Sequence, residues 1–324
     1  MERPAQLIET RPLPIQALQP NDSIPATPTR QLRRFALATA ILVLCFAYPL
    51  IELVRFAAAS ELYSYILLVP LISGYLVWLK RRNLPVSAQP ARPAAFVFLL
   101  AGLALAAAHW LWFRSSFLRV RDNHLAVMTI CFLLFFVGVC CLFWGTKTLR
   151  AAAFPLGFLI FMAPLPPAAV HGIDSFLQKG SAVAAADFFR ISGTPFLQNG
   201  LSFQLPGASL EIAPECSGIH STLVLFITSL LGGYLFLQTP WKRALFILFV
   251  IPLALIRNGF RIFVIGQLCV YIGPQMLYSP IHRRGGPLFF ALSLIPLFLL
   301  LILLHKSERA TGIADSKTPK ISHA

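Results

Sequence analysis

The chain has 324 residues, 57% of them hydrophobic and 12% charged, with a net charge of +15 and a mean hydropathy of +0.73. Soluble globular chains are roughly one quarter charged, so this one lacks the charge to clothe a water-facing surface. Its apolar runs of roughly 18–20 residues match the length that crosses about 30 Å of hydrocarbon, which excludes a soluble enzyme, a disordered regulator and a fibrous protein.

Residues 1–34 hold Pro4, Pro12, Pro14, Pro20, Pro25 and Pro28 with little apolar periodicity, the pattern of a disordered tail. The run from Phe35 to Val54 is longer than the roughly 7–15 apolar residues of a signal peptide. It reads as a first span although Ala57-Ala58-Ala59 resembles a cleavage site. Further spans are predicted at 62–79, 95–113, 124–144, 151–165, 218–237, 241–257 and 287–304. The expected fold is therefore an all-α polytopic membrane protein of about eight transmembrane helices. With the amino terminus in the cytoplasm, about 17 of the 27 Lys and Arg fall inside, as the positive-inside rule prefers. This basic excess flanks apolar runs and sets topology, so a nucleic-acid partner is not expected. Residues 260–273 are apolar but short for a crossing. They are expected to re-enter, to lie at the interface or to extend the seventh span. The membrane domain then covers 35–305, and 306–324 form a second cytoplasmic tail.

The longest outer segment runs over 166–217. Ile173, Phe176, Leu177, Val183, Ala184 and Phe188 share one helical face, while Asp174, Lys179 and Asp187 supply polarity. An amphipathic helix at the membrane surface is predicted. A period of two follows: Leu201, Phe203 and Leu205, then Pro206-Gly207, then Ala208, Leu210 and Ile212. Strict alternation around Pro-Gly predicts a β-hairpin leading directly to Cys216.

Five of the six cysteines lie in apolar runs, where a thiol behaves as a small hydrophobe; Cys216 alone sits in polar context. There is no CxxC pair and no metal-ligand spacing, so neither metal nor cofactor is expected. Cys216 precedes a helix predicted to begin near 217–219. Unpaired amides and the helix dipole there lower a thiol's pKa, and the amides of Ser217 and Gly218 can face an oxyanion. A buried, unreactive thiol is the alternative. Arg257 and Arg261 bracket Asn258 on one helix face. Intramembrane arginines face a polar cavity or a partner, or else snorkel to headgroups. His282 precedes the last span, and His220, four residues after Cys216, is its rival.

The stretch from Leu205 to Ser221, with Pro214-Glu215-Cys216-Ser217-Gly218 at its centre, closely resembles the cysteine motif of the exosortase/archaeosortase family. Asn258-Gly259-Phe260-Arg261 resembles its Asn-x-x-Arg motif, and His282-Arg283-Arg284-Gly285-Gly286 its His-x-x-x-Gly element. Leu62-Tyr63-Ser64-Tyr65-Ile66-Leu67-Leu68-Val69-Pro70 is similar to its second-span signature. The resemblance covers roughly 35–305, in order. It implies a bacterial inner-membrane cysteine protease/transpeptidase, with both termini cytoplasmic and the site periplasmic. Substrates would be membrane-anchored proteins with a carboxyl-terminal sorting signal: a short motif (Pro-Glu-Pro in the best-known class), a transmembrane helix and a basic tail. It assigns Cys216 as nucleophile, Arg261 as thiolate or oxyanion stabiliser and His282 as general acid/base, with Ser217, Gly218 and Asn258 in support. Position 220 varies in that family, which disfavours His220. Arg257 and Glu215 receive no role.

Other functions make different demands. An anion transporter using Arg257 and Arg261 calls for polar residues through several spans and often a repeat, and neither is visible. An acyl- or glycosyltransferase calls for paired outer carboxylates, which are also missing. A non-catalytic assembly factor for envelope or exopolysaccharide export would use the outer platform for docking and tolerate loss of the thiol.

Overall fold

Proline dictates where the apolar runs break. A proline ring clashes with the carbonyl four residues earlier and removes one helical hydrogen bond. In the computed structural model, which describes residues 28–81, 90–112, 120–213, 217–278 and 285–317, the first run splits into α1 (Pro28–Cys45) and α2 (Ala47–Ala59). The two are bent by 71°, and the Pro49 ring accounts for the break because its clashing carbonyl belongs to Cys45. A 3-10 turn (Ser64–Leu67) then leads into α3 (Val69–Lys80). The hairpin pair α4 (Arg92–Trp112) and α5 (Arg121–Phe143) follows. The fifth run is fragmented into α6 (Thr146–Ala151), α7 (Ala153–Phe158) and a 3-10 turn at Leu159–Met162. Pro164, Pro166 and Pro167 then precede α8 (Pro167–Ile191), which stands at 93° to the 153–162 segment. After the sheet come α9 (Ile219–Phe236), α10 (Pro240–Leu248), α11 (Val250–Tyr271), a 3-10 turn (Pro274–Tyr278) and α12 (Gly286–Lys317).

Among the described residues, five helices are long and apolar enough to span a membrane, or seven if each bent pair is one span. The apolar Ser64–Lys80 segment is shorter. These units follow the predicted spans in order. The protein is an all-α polytopic membrane protein with one small sheet. At the amino end helix begins at Pro28, before the expected start at 35, and at the carboxyl end α12 continues past 305 to Lys317. Residues 1–27 and 318–324 lie outside the described residues. Residues 260–271 continue α11 without a break, so of the three expectations for 260–273 the extension of the seventh span is what forms. α10 and α11 together make a candidate span of 32 residues.

Contacts sort the helix ends into two groups. At one end Arg121 Nε lies 3.2 Å from Glu52, and Tyr63 donates to the Leu165 carbonyl at 3.0 Å. At the other, Gln31 donates to the Phe143 carbonyl, Lys80 sits over the Tyr234 ring, and Glu308 meets the amides of Gln238 and Thr239. This is the pairing that alternating crossings require.

The sheet is an antiparallel meander of β1 (Leu197–Asn199), β2 (Ser202–Leu205) and β3 (Ala208–Glu211). Phe203 pairs with Leu210 and Leu205 with Ala208, across a turn where Pro206 precedes Gly207 at φ +78°. The predicted hairpin forms in its predicted phase, with Phe203, Leu205 and Leu210 buried. It packs on Ala182, Ala185 and Phe189 of α8 and on Ile262, Ile265 and Cys269 of α11.

On α8 the buried face is Leu177, Gln178, Ser181, Ala182, Ala185, Ala186 and Phe189, while Phe176 and Val183 are exposed. The cause is the closeness of α11. A Cβ at Gly259 would lie 2.5 Å from the Ala184 Cβ and 3.0 Å from the Ala185 amide nitrogen. Apolar surface gains nothing by leaving lipid for another helix, so helices in membranes associate through close packing of small residues. The larger side chains therefore turn outward.

Candidate active site

The candidate site begins where the sheet hands the chain to α9. Cys216 lies outside the described residues, as does His282; the described residues resume at Ser217 and Gly285. Gly218 is the N-cap of α9 at φ +74°, a backbone conformation costly to any residue with a Cβ. Space is short too: an added Cβ would lie 2.9 Å from Arg257 Nη2 and 3.2 Å from Asn258 Oδ1. The helix thus starts within the expected window, with its first residue at Ile219. Cys216 precedes the cap by two positions, outside the first turn in which the dipole acts strongly.

Two helices hold this turn. From α8, Asp174 accepts a hydrogen bond from Ser217 Oγ at 2.6 Å. Ser217 Oγ in turn accepts the Ile219 amide at 3.3 Å, satisfying one of the helix's unpaired donors. From α11, Asn258 Nδ2 donates to the Ser217 carbonyl at 3.2 Å and to Ser181 Oγ at 3.0 Å. Ser217 and Asn258 are 1% and 2% exposed, so each bond is made where water is scarce and a broken one is expensive. Arg257, one position earlier, places Nη2 3.2 Å from Thr222 Oγ1 and 3.4 Å from the Gly218 carbonyl.

Above the turn lies a cavity of about 1030 Å³. Ser217, Gly218 and His220 form one part of its wall, Arg261 of α11 another, Gly286 and Pro287 at the start of α12 a third. The end of α2 closes it with Ser60, Glu61 and Ser64, the last of these within the second-span signature. Of the sequence candidates, the structure brings Ser217, Gly218, Asn258 and Arg261 together. It sets Arg257 behind Gly218 rather than in the cavity wall. His220 is exposed and does line the cavity.

Asp174, Ser181 and Thr222 escaped the sequence reading. A signal existed: Asp174, Gln178 and Ser181 recur at helical spacing on one stripe of α8, bonding Ser217 of the turn, the Ile212 carbonyl before it and Asn258 of α11 respectively. Among the described residues no group of three His, Cys, Asp or Glu is placed to hold a metal ion.

No curated protein sequence and no solved structure matches the chain. The family model for transmembrane exosortases matches residues 57–299, a stretch from the last turn of α2 to the middle of α12 that contains the whole cavity wall. With three quarters of its length matched in this way, the chain belongs to the transmembrane exosortase family.

Proposed function

We propose that the protein is a membrane-embedded cysteine protease/transpeptidase that removes carboxyl-terminal sorting signals from exported, membrane-anchored proteins. One observation carries this reading. The residues beside Cys216 (Ser217 and Gly218), the last residue of the His282 motif and the one after it (Gly286 and Pro287) and Arg261 itself line one cavity. Three motifs far apart in sequence thereby converge on one space, on the scale of a substrate segment.

The chemistry is acyl transfer. The Cys216 thiolate attacks a peptide carbonyl next to the substrate's transmembrane anchor, forming a C–S bond and a tetrahedral oxyanion. Arg261 provides positive charge for the thiolate and the oxyanion. His282 takes the thiol proton and returns it to the leaving amine as the C–N bond breaks. An amine or water then attacks the thioester and releases the thiol. The basic bias of the opposite end supports a periplasmic cavity in a bacterial inner membrane, with both termini cytoplasmic.

The test is a scan of Cys216→Ala, Arg261→Ala and His282→Ala in full-length protein, scored by processing of a substrate that carries a carboxyl-terminal sorting signal. Each variant should insert normally. Cys216→Ala should abolish processing, and Arg261→Ala should reduce it at least ~100-fold, the usual effect of removing an oxyanion donor. Normal processing by inserted Cys216→Ala protein refutes the enzyme. Harmless thiol alkylation combined with loss of function on deleting 198–213 would favour an assembly factor instead.

A further inference from the structure

Arg257 is a buried cation at the turn to which the motifs give no task. It is 7% exposed, and a guanidinium stays protonated in proteins. Its Nη1 is buried with no hydrogen-bond partner among the described residues. No carboxylate of those residues lies within ion-pair distance of it. A buried cation left without a counter-charge is costly, and a helix interface that served packing alone would be at least as stable with an apolar side chain there. Arg261, one turn further along α11, lines the cavity; Arg257 does not. Whatever Arg257 does for the cavity it does through the Gly218 peptide.

That peptide is unusually constrained. The Gly218 carbonyl accepts the Thr222 amide at 3.0 Å, Thr222 Oγ1 at 2.8 Å, Ser221 Oγ at 3.0 Å and the longer contact from Arg257. Thr222 Oγ1 also accepts from Arg257 at 3.2 Å. The guanidinium therefore closes a ring of hydrogen bonds around the first turn of α9. Its charge is screened little by solvent at that depth.

We propose that Arg257 is a positioning residue of this site: it locks the Gly218 carbonyl, so fixing the turn after Cys216, and its charge behind that turn, paired with no carboxylate among the described residues, favours the thiolate. Among the described residues the other charged or titratable groups around the turn are Asp174 from α8, Arg261 from α11, His220 from α9 and Glu61 from the segment after α2, and Glu215 adjoins Cys216 in sequence. His282 joins them by its motif. The catalytic importance of Arg257 rests on Cys216 being the nucleophile, but its effect on the thiol is measurable with no substrate.

The experiment follows iodoacetamide alkylation of Cys216 against pH in full-length protein in lipid nanodiscs, read by mass spectrometry of the Cys216 peptide. Arg257→Gln should slow alkylation at neutral pH about tenfold and move its midpoint up by about one pH unit, with the same limiting rate at high pH. Arg257→Lys, which keeps the charge and loses the planar fork, should fall between. A folded Arg257→Gln protein with the wild-type profile overturns the proposal. If Arg257→Gln does not insert, Thr222 decides. Thr222→Val removes the second acceptor and should slow alkylation about two- to threefold, while Thr222→Ser should match wild type; a wild-type profile for Thr222→Val overturns the proposal. The two readings fail separately. Processing by Cys216→Ala protein ends the proposed function and leaves a shifted profile standing. Cys216-dependent processing with an unshifted profile removes only the assignment of Arg257.

Discussion

Two helix starts in this protein meet the same problem, unpaired amides at an N-terminus, in opposite ways. At α10 the carboxylate of Glu308 takes the amides of Gln238 and Thr239 at 3.0 and 2.8 Å. Pro240 then begins the helix with no amide to satisfy, and Lys242 Nζ reaches Ser307 at 3.2 Å. Anion, dipole and cap agree, and the carboxyl-terminal helix is tied down. At α9 the cap is a left-handed glycine, the neutral Ser217 hydroxyl stands in for the anion, and two arginines of α11 flank the turn. The first arrangement is complete in itself. The second surrounds a helix start with Arg257, Arg261 and Asp174 and relies on the neighbouring helices to hold it.

The comparison breaks most severely at Gly218. Gly218→Val places a β-branched side chain at φ +74° and against the Arg257 guanidinium, and should cost about 3 kcal/mol together with nearly all processing. Thermal unfolding and a processing assay should show both losses. Gly259→Ala leaves the turn's own chemistry intact but forces α11 away from Ala184, carrying both arginines with it. A loss of about 2 kcal/mol is expected from overpacking, with slower Cys216 alkylation as the discriminating readout. Asp174→Asn weakens the charge-assisted bond to Ser217; about 1 kcal/mol is expected. Because a negative charge leaves the turn, alkylation at neutral pH should hold or rise while processing falls. The smallest effect belongs to Glu308→Gln. Its carboxylate is partly exposed, so the cap is worth about 0.5 kcal/mol, and alkylation of Cys216 should match wild type. Any change in the thiol there would mean that the two ends are coupled.

Much of the fold was legible because lipid and proline impose strong local rules. Apolar length located the spans, Pro49, Pro155 and Pro252 mark the breaks, and the phase of Phe203, Leu205 and Leu210 specified the hairpin. β1 was not legible: Leu197, Gln198 and Asn199 are all exposed, so burial leaves no period in them. The protein-facing side of α8 was not legible, because it is set by the close approach of Gly259, which admits only small partners. At the site, motif resemblance nominated Cys216, Arg261 and His282, of which only Arg261 is among the described residues, and intramembrane cost singled out Arg257 together with Arg261. Asp174 was passed over because its partner Ser217 lies 43 residues on, a pairing that only the packing of α8 against α11 reveals.

The 32-residue rod of α10 and α11 is longer than the bilayer it crosses. Counted from Ala244, just past the Trp241-Lys242-Arg243 anchor, Arg257 stands about 20 Å up, Arg261 about 26 Å and Tyr271 about 40 Å. A hydrocarbon slab of about 30 Å therefore ends close to Arg261, and the rod's top stands clear as a pedestal for the sheet. The depth of the slab thus becomes a working parameter of the protein. Thin lipids leave the cavity open to water, and long acyl chains would submerge it, so turnover should decline with chain length while insertion stays constant.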